Sequence, residues 1–316
     1  MQRRDFLGAA ALSVTALATG RGETAEDRLP PPIVDVHTHF FDPGRKEGVP
    51  WPPKDDPVLY KRTLPDDYRK ALPDGIRSRV QGTVVVECSA WVEDNQWILD
   101  LAEKDKFLLG LVGRLLPADE GFAKNLDRFA RNPLFRGIRI VAPEVKECLD
   151  KPEIGRKLSL LADKGLALDV NGSPRMMQIA AELVEKHPEL QIVVDHCGNV
   201  PIDGKPPKDE WRRAVEKVAK SPRTYCKVSD LGACTGKDKQ RAPTDVAFYK
   251  PTLDAIWDAF GEDRVLFGSD WPVSDHFAKL SDLFAVLEGY LAGKPAAAAT
   301  KYFAENSKKA YGWQPR

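Results

Sequence analysis

The chain has 316 residues, of which 42% are hydrophobic and 30% charged, a composition typical of a soluble globular protein. Lysine plus arginine and aspartate plus glutamate both number 47, so the formal net charge is zero. Nothing in this balance favours binding to nucleic acid or to an anionic membrane. We therefore expect a small molecule as the partner; a homo-oligomer is compatible with the sequence.

Residues 1–18 resemble an export signal. Paired arginines at positions 3 and 4 precede an uncharged run over 9–19, and Ala16-Leu17-Ala18 offers a small-x-small cleavage site. This pattern is typical of a bacterial twin-arginine-type signal peptide and predicts a periplasmic or exported protein. Residues 19–32 are expected to be a tether. No later segment is apolar over the length of a membrane span, so we expect no stable membrane insertion after signal removal.

From residue 33 onward, short apolar runs alternate with amphipathic segments. The runs cover 33–37, 82–87, 107–112, 135–141, 166–170, 191–195, 224–228 and 264–267. Their continuous apolar character is typical of strands buried on both faces, and the alternation with helical segments such as 154–164 predicts parallel strands with crossover helices. Eight such units predict one α/β domain over 33–316, a (β/α)8 TIM barrel of the metal-dependent-hydrolase type.

The stretch 40–73 interrupts this alternation. It is rich in proline, tryptophan and charge, as in the run Pro50-Trp51-Pro52-Pro53-Lys54. It follows the first strand on its C-terminal side, where the active sites of such barrels lie. We expect this long loop to form a lid or a substrate wall over the active site.

Polar side chains follow three of the predicted strands. His37 and His39 are two positions apart on the first strand and therefore project to the same side. His196 follows the sixth strand and Asp270 the eighth. Because the C-terminal ends of barrel strands meet at one mouth, these four side chains are expected to converge there. Imidazole is the commonest protein ligand of zinc, so the group predicts a metal centre.

Three motifs carry a family resemblance. Asp-x-His-x-His over 35–39, Asp-His-x-Gly over 195–198 and Gly-Ser-Asp-Trp-Pro over 268–272 resemble the amidohydrolase superfamily. They are most similar to its amidohydrolase-related branch, which contains sugar-acid lactonases, the pyrone-dicarboxylate lactonase and non-oxidative decarboxylases. The resemblance covers residues 33 to about 311. Together the motifs are specific for the superfamily but not for a substrate.

The resemblance implies a role for each matching residue. His37 and His39 would be metal ligands or, in metal-independent members, substrate contacts. Asp270 would both hold the metal and act as general base on the attacking water. His196 would polarise the scissile carbonyl or stabilise its oxyanion. Arg139 matches a Gly-x-Arg of the lactonase-like members on the fourth strand and would capture a substrate carboxylate.

One departure bears on the metal. Many members place a histidine or a carboxylated lysine on the fourth or fifth strand, whereas here the fifth strand ends in Asp169-Val170-Asn171. We therefore expect a mononuclear centre with one zinc, or else manganese, and no binuclear centre. Glu87, Asp169 and Asn171 are the candidate replacements for the missing ligand, and Glu87 is the favoured one because it ends an apolar strand.

Other residues are expected at the substrate. Lys227 at the end of the seventh strand and His276 in the loop after the eighth join Asp169 and Asn171 as candidate substrate contacts. A metal-free mechanism is a second interpretation, in which Asp270 alone is the base and the electrostatic partners are His196, Arg139 and Lys227.

The leading functional hypothesis is hydrolysis of a lactone or similar cyclic ester that bears a carboxylate or hydroxyls. Non-oxidative decarboxylation of an aromatic acid is a first alternative, and the absence of a histidine on the fifth strand argues against it. A non-catalytic periplasmic binding protein is a second alternative. The intact set of polar residues at the strand ends argues against that interpretation.

Overall fold

Eight parallel strands follow one another around a barrel in chain order. The computed structural model describes residues 30–316, so the predicted signal peptide at 1–18 and all but the last three residues of the tether lie outside the described residues. The strands are β1 Ile33–Thr38, β2 Val80–Val86, β3 Leu108–Gly113, β4 Phe135–Val141, β5 Ala167–Asn171, β6 Gln191–Val194, β7 Thr224–Val228 and β8 Val265–Phe267. Their positions confirm the predicted TIM barrel.

The barrel closes where the chain beyond β8 meets β1. Thr38 and Trp271 form a parallel bridge, and the backbone N–H of Asp270 donates to the carbonyl of His37 at 2.8 Å. All six residues of β1 are buried, because this strand is covered on both sides. The seam therefore places the polar end of the first strand directly beside the polar segment after the last one.

Helices cover the outside of the barrel. They are α1 Pro65–Ala71, α2 Asp74–Arg77, α3 Val92–Lys104, α4 Phe122–Phe129, α5 Ala142–Asp150, α6 Pro152–Gly155, α7 Ser159–Asp163, α8 Met176–Lys186, α9 Asp209–Ala219, α10 Leu231–Cys234, α11 Val246–Phe260, α12 Leu280–Leu291, α13 Ala296–Thr300 and α14 Asn306–Tyr311. Among the described helices, none is long and apolar enough to cross a membrane.

The helix predicted over 154–164 is divided. Its first part is the end of α6, a 3-10 turn follows over Arg156–Leu158, and only then does α7 begin. Gly155 stands at the break, where its backbone lies so close to Cys148 that a Cβ atom would be 2.5 Å from the Cys148 carbonyl oxygen. A residue with a Cβ atom would not fit this close approach without a shift, so glycine is favoured here. Because glycine is also a poor helix former, the regular helix is interrupted at this residue.

The long connection after β1 lies over the C-terminal mouth. Phe41 and Thr63 pair as an antiparallel bridge that closes the connection into a loop, and α1 begins just after it. The Trp51 ring packs edge-on against the His39 ring with 5.7 Å between their centroids. Asp56 reaches across the mouth to His276, with 3.0 Å between its Oδ2 and the Nε2 of the imidazole. The loop therefore forms one wall of the site.

Candidate active site

The two histidines of β1 and the aspartate after β8 meet at one point. Asp270 Oδ1 lies 3.1 Å from His37 Nε2 and 2.9 Å from His39 Nε2, and all three side chains are buried. Their ligand atoms lie within 4.8 Å of one another. The structure thus brings together the three residues that the sequence predicted as metal ligands.

Asp35, the first residue of the Asp-x-His-x-His motif, holds the backbone of this cluster in place but is not one of the candidate metal ligands. Its Oδ1 accepts the backbone N–H of His37 at 3.1 Å and that of Ser269 at 2.9 Å. Its Oδ2 accepts the Tyr68 hydroxyl at 2.5 Å. Asp35 therefore ties β1 to the segment after β8. That segment turns sharply at Asp270, whose φ of 59° lies in the left-handed region that is costly for residues with a side chain.

The orientation of both imidazoles suits a metal ion. His39 Nδ1 lies 2.6 Å from the carbonyl oxygen of Val86, so Nδ1 carries a hydrogen and Nε2 is the nitrogen that would bind an ion. His37 Nε2 is a buried polar atom without a hydrogen-bond partner among the described residues. A carboxylate oxygen of Asp195 lies 3.6 Å from His37 Nδ1, where metal-binding histidines usually have an acceptor. The donor set therefore fits a divalent ion with an open position.

The charges of the cluster attract a cation. Burial alone would raise the pKa of Asp270, but the neighbouring His196 and His37 and the hydrogen bond from His39 hold it below its ordinary value. Burial and the Lys227 ammonium lower the pKa of His37 well below its ordinary value, which keeps this imidazole neutral. Burial would also lower the pKa of His39, but Cys88 and Asp270 raise it to about 10. Protonated His39 thus carries a positive charge next to Asp270, as a bound metal ion would.

His196 stands beside this cluster on the short 3-10 turn His196–Asn199 that follows β6. Its ring centroid lies 4.5 Å from that of His37, and its Nδ1 lies 2.9 Å from the Ser229 hydroxyl. Burial lowers its pKa, so the imidazole is neutral near pH 7. Since Ser229 engages Nδ1, Nε2 is the nitrogen left to act on a substrate.

Arg139 lies on β4 at the edge of the cluster, close to the end of β2. One guanidinium nitrogen is 2.8 Å from Cys88 Sγ and 3.1 Å from the Glu87 carbonyl oxygen. Its Nε is buried and has no partner in the part of the chain that the structure describes. Arg139 thus keeps a spare hydrogen-bond donor at the mouth.

Glu87 does not lie where the sequence predicted it. Its carboxylate accepts the backbone N–H groups of Cys88 at 2.7 Å and Ser89 at 2.6 Å. It is absent from the groups of described His, Cys, Asp and Glu side chains that converge closely enough to hold an ion. The prediction of Glu87 as a metal ligand is therefore corrected: the carboxylate stabilises the turn after β2.

Lys227 and Asp169 also require a correction. Lys227 Nζ lies 2.8 Å from Asp169 Oδ2 and 2.9 Å from Asp195 Oδ1, and all three side chains have no exposed surface. Tyr311 donates to the same Asp169 oxygen at 2.8 Å. The network lies beneath His37, whose Nδ1 is 3.3 Å from Lys227 Nζ. These residues support a ligand histidine and do not face the mouth as predicted.

The last two predicted substrate contacts lie outside the cluster. Asn171 is half-buried at the end of β5, and its side-chain oxygen accepts the N–H of Gly172 at 2.5 Å. His276 binds Asp56 of the long loop. The structure thus gives Asn171 a local role in a turn and His276 a role in holding the loop.

Sequence reasoning missed Asp230, which follows β7 and converges with His196 and Asp270. Its side chain is buried, and its Oδ1 has no hydrogen-bond partner within the described residues. Burial and the charge of Asp270 raise its pKa well above the ordinary value. Its position one residue beyond Ser229, at the end of an apolar strand, is the same signal that identified Asp270.

The fold agrees with comparisons to known proteins. The amidohydrolase family profile matches residues 34–313, and the chain belongs to this family. The L-fucono-1,5-lactonase of Burkholderia ambifaria is 31% identical over 244 residues, which cover 76% of this chain and 80% of the relative. The chain is therefore a hydrolase of the amidohydrolase family, and it is similar to the lactonase branch of that family.

Two solved structures share the fold at lower identity. An amidohydrolase from Burkholderia multivorans with bound zinc is 23% identical, with a TM-score of 0.77 over 90% of this chain and 100% of that one. The 5-carboxyvanillate decarboxylase of Novosphingobium aromaticivorans is 15% identical, with a TM-score of 0.63 over 92% of this chain and 97% of that one. At these identities the likeness concerns the barrel alone.

Proposed function

We propose that the enzyme opens the lactone of a sugar acid by attack of water on the ring carbonyl. The observation that carries this proposal is the convergence of His37, His39 and Asp270 on one buried point with His196 beside it. The name of the Burkholderia ambifaria relative, an L-fucono-1,5-lactonase, supports a polyhydroxylated lactone as the substrate class.

The charges at the mouth favour an uncharged lactone over a dicarboxylate. Arg139 provides a buried guanidinium whose charge interacts with Asp195 and Asp270, whereas Asp230 and Asp270 provide carboxylates in the same cluster. Recognition of two carboxylates would need further cations at bidentate distance. Hydroxyl groups instead need single donors and acceptors, which the spare Nε–H of Arg139 can provide.

His37, His39 and Asp270 would hold a divalent metal ion, and the zinc of the Burkholderia multivorans structure supports zinc as that ion. When bound, the ion supplies Lewis acidity that activates water and carbonyl groups. Burial and the Lys227 ammonium keep His37 neutral, and Lys227 Nζ at 3.3 Å and Asp195 Oδ1 at 3.6 Å from Nδ1 hold the ring from the side turned away from Asp270.

Asp270 is the proposed general base. Its Oδ1 faces the two imidazoles, so Oδ2 is the oxygen that takes the proton of the attacking water. The new bond joins the water oxygen to the lactone carbonyl carbon, while His196 acts on the carbonyl oxygen through Nε2. The ring C–O bond then breaks, and the leaving alkoxide takes the proton back from Asp270 to give the hydroxy acid.

A lactone panel tests this proposal. The purified enzyme is offered five- and six-membered aldonolactones, and acid release is followed with a pH indicator, beside a matched panel of benzoate-type acids assayed for carbon dioxide release. We expect lactone opening that is lost in Asp270→Asn. A folded enzyme that opens no lactone of the panel contradicts the proposal, and carbon dioxide release in its place would establish the decarboxylase reading.

A further inference from the structure

Two neighbouring strands of the barrel are followed by the same pair of residues. Ser229-Asp230 comes directly after β7, and Ser269-Asp270 follows β8 and Gly268. Both aspartates have a left-handed backbone, with a φ of 47° at Asp230 and 59° at Asp270. This conformation is costly for a residue with a side chain, and such strain clusters at functional sites. Asp270 is the proposed base, whereas the proposed reaction gives Asp230 no role.

Asp230 keeps an unused acceptor in the centre of the site. The residue is 8% exposed, and its Oδ1 is a buried oxygen with no hydrogen-bond partner among the described residues. Lys227 does not provide one, because its ammonium is held by Asp169 and Asp195. A buried oxygen without a partner costs free energy, and such an atom in a native structure indicates a function. We therefore looked for its partner in the substrate.

The position of Asp230 relative to the reacting atoms identifies that partner. One carboxylate oxygen of Asp230 lies within 4.8 Å of a ring nitrogen of His196 and of a carboxylate oxygen of Asp270. In the proposed reaction His196 acts on the carbonyl oxygen of the lactone, and Asp270 takes the proton of the attacking water. Asp230 therefore lies beside the carbonyl carbon, whose two other neighbours in the substrate are the ring oxygen and the carbon next to the carbonyl.

A free acceptor oxygen can pair with a group on only one of these two neighbours. The ring oxygen of a lactone carries no hydrogen and cannot donate, whereas a hydroxyl group on the carbon next to the carbonyl is a donor. A carboxyl group keeps an acceptor oxygen whether or not it carries a proton. The pairing with a hydroxyl group therefore does not depend on the protonation state of Asp230.

We propose that Asp230 binds the hydroxyl group on the carbon next to the lactone carbonyl and so determines specificity for 2-hydroxy lactones. Aldonolactones carry this hydroxyl group, and 2-deoxy lactones lack it. A site built to bond a hydroxyl group discriminates against the analogue without it, because a buried polar group is then left unpaired. The inference rests on the proposed function and deepens it, since it names the substituent that the site recognises.

Two substrates that differ only in this hydroxyl group test the inference. A six-membered aldonolactone and its 2-deoxy counterpart are offered to wild type and to Asp230→Gly, and kcat/KM is measured for each. Loss of a buried hydrogen-bond partner costs a factor of about 10 to 100. We expect wild type to prefer the aldonolactone and Asp230→Gly to reduce the ratio of the two kcat/KM values by this factor. The intrinsic reactivities of the two lactones cancel when this ratio is compared between the proteins.

The choice of variants separates the side chain from the backbone. Glycine adopts the left-handed conformation at no steric cost, so Asp230→Gly removes the carboxylate and keeps the turn. Asp230→Asn also tolerates this conformation and retains a side-chain oxygen, so it should keep part of the preference. Asp238→Gly, at an exposed aspartate in the loop after β7, is the matched control and should show the wild-type ratio.

Inhibitor binding provides a measurement that does not depend on turnover. Six-membered hydroxylated lactams with and without the hydroxyl group next to the carbonyl are titrated into the same proteins by calorimetry. Their affinity ratio should change as the kinetic ratio does. If the variants do not fold, wild type alone decides, because a wild type that binds both lactams equally overturns the inference.

Two other outcomes also overturn the inference. One is a preference that Asp230→Gly leaves unchanged, and the other is an equal loss for both members of each pair, which would indicate a role for Asp230 at the ring oxygen. Lactones that are opened with an unchanged preference refute the inference and leave the proposed function standing. Discrimination between the lactams that depends on Asp230, without opening of any lactone, does the reverse.

Discussion

His39 Nε2 lies 2.9 Å from Asp270 Oδ1, although the two residues are 231 positions apart in the chain. The contact spans the seam at which the barrel closes, since Thr38 pairs with Trp271 one residue away on each side. Closure of the fold and assembly of the site are thus the same event. The three ligand atoms reach their positions only when the last strand has joined the first.

Replacement of Asp270 tests its two proposed roles together. Asp270→Asn keeps the shape of the side chain but removes the negative charge that accepts the water proton and attracts the ion. Loss of a general base lowers kcat by about 10²- to 10⁴-fold. We expect a fall in this range together with loss of bound metal, measured by steady-state lactone kinetics and by elemental analysis. Asp238→Asn, at an exposed aspartate in the loop after β7, serves as the control. An Asp270→Asn enzyme within about tenfold of wild type would exclude the role as base.

Lys227 is predicted to stabilise the fold strongly. Lys227→Met retains the volume of the side chain but leaves Asp169 and Asp195 without their shared cation inside the barrel. Breaking a buried ion pair by removing one partner costs about 3–5 kcal/mol. We expect a loss of this size in the free energy of unfolding, measured by urea denaturation.

A surface lysine provides the comparison for Lys227. Lys250 forms an ion pair with Asp254 at 2.5 Å one turn along α11, where its side chain is 59% exposed. An exposed pair of this kind contributes about 0–1 kcal/mol. Lys250→Met should therefore leave the unfolding curve nearly unchanged. Equal effects of the two substitutions would show that the buried network does not stabilise the barrel.

The Cys88 thiol is predicted to ionise, and so to react as a thiolate, at a lower pH than an ordinary cysteine. Burial alone would raise the pKa of Cys88, but the Arg139 guanidinium and His39 lower it below its usual value. A lowered pKa means that the thiolate persists to lower pH. The rate of alkylation by iodoacetamide should therefore reach its plateau at a lower pH than for a free cysteine. Arg139→Gln should move the midpoint of the rate profile upward.

Peptide mass spectrometry of the alkylated enzyme identifies the reacting thiol. Cys148, Cys197 and Cys226 are buried and should react far more slowly. Cys88→Ser is the control, because it removes only this site of modification. A midpoint at or above that of a free thiol, or one that Arg139→Gln leaves in place, contradicts the prediction.

The sequence was sufficient for the barrel because the signal is repeated eight times. Each strand is a continuous apolar run, and the strand ends alone located His37, His39, His196 and Asp270 at one mouth. A parallel barrel brings all C-terminal strand ends together, so residues that end different strands lie at the same face of the barrel whatever their separation in the chain. This is why distant motifs could be combined correctly.

The wrong predictions concern the direction in which a polar side chain at the end of a strand points. Glu87 and Lys227 both end apolar strands, yet one caps the following turn and the other turns inward to a pair of aspartates. These outcomes depend on partners from other strands at distances of a few ångströms, which periodicity does not contain. Asp230 was missed although it also follows an apolar strand, and a left-handed turn at this residue, like the one at Asp270, accompanies its convergence with His196 and Asp270.

The contact between Asp56 and His276 is predicted to hold the long loop closed over the site. Asp56 Oδ1 accepts the N–H groups of Val58 and Leu59 at 2.9 Å each, so its Oδ2 is fixed toward His276 at 3.0 Å. Burial would raise the pKa of Asp56, but these hydrogen bonds lower it below its ordinary value. The carboxylate is therefore ionised at neutral pH, and its contribution is lost only as the pH falls through that lowered pKa.

Asp56→Asn should loosen the loop without unfolding the barrel. The pair is partly exposed, so we expect a loss of at most about 1 kcal/mol in the free energy of unfolding. Trp51 would then leave His39 more often, because the loop that carries it has lost its attachment across the mouth. Limited proteolysis should cut the variant faster than wild type within 40–73, and kcat/KM for a lactone should fall while bound metal stays unchanged. Cleavage at the wild-type rate, with unchanged kinetics, would show that the loop is held by its packing and not by the contact between Asp56 and His276.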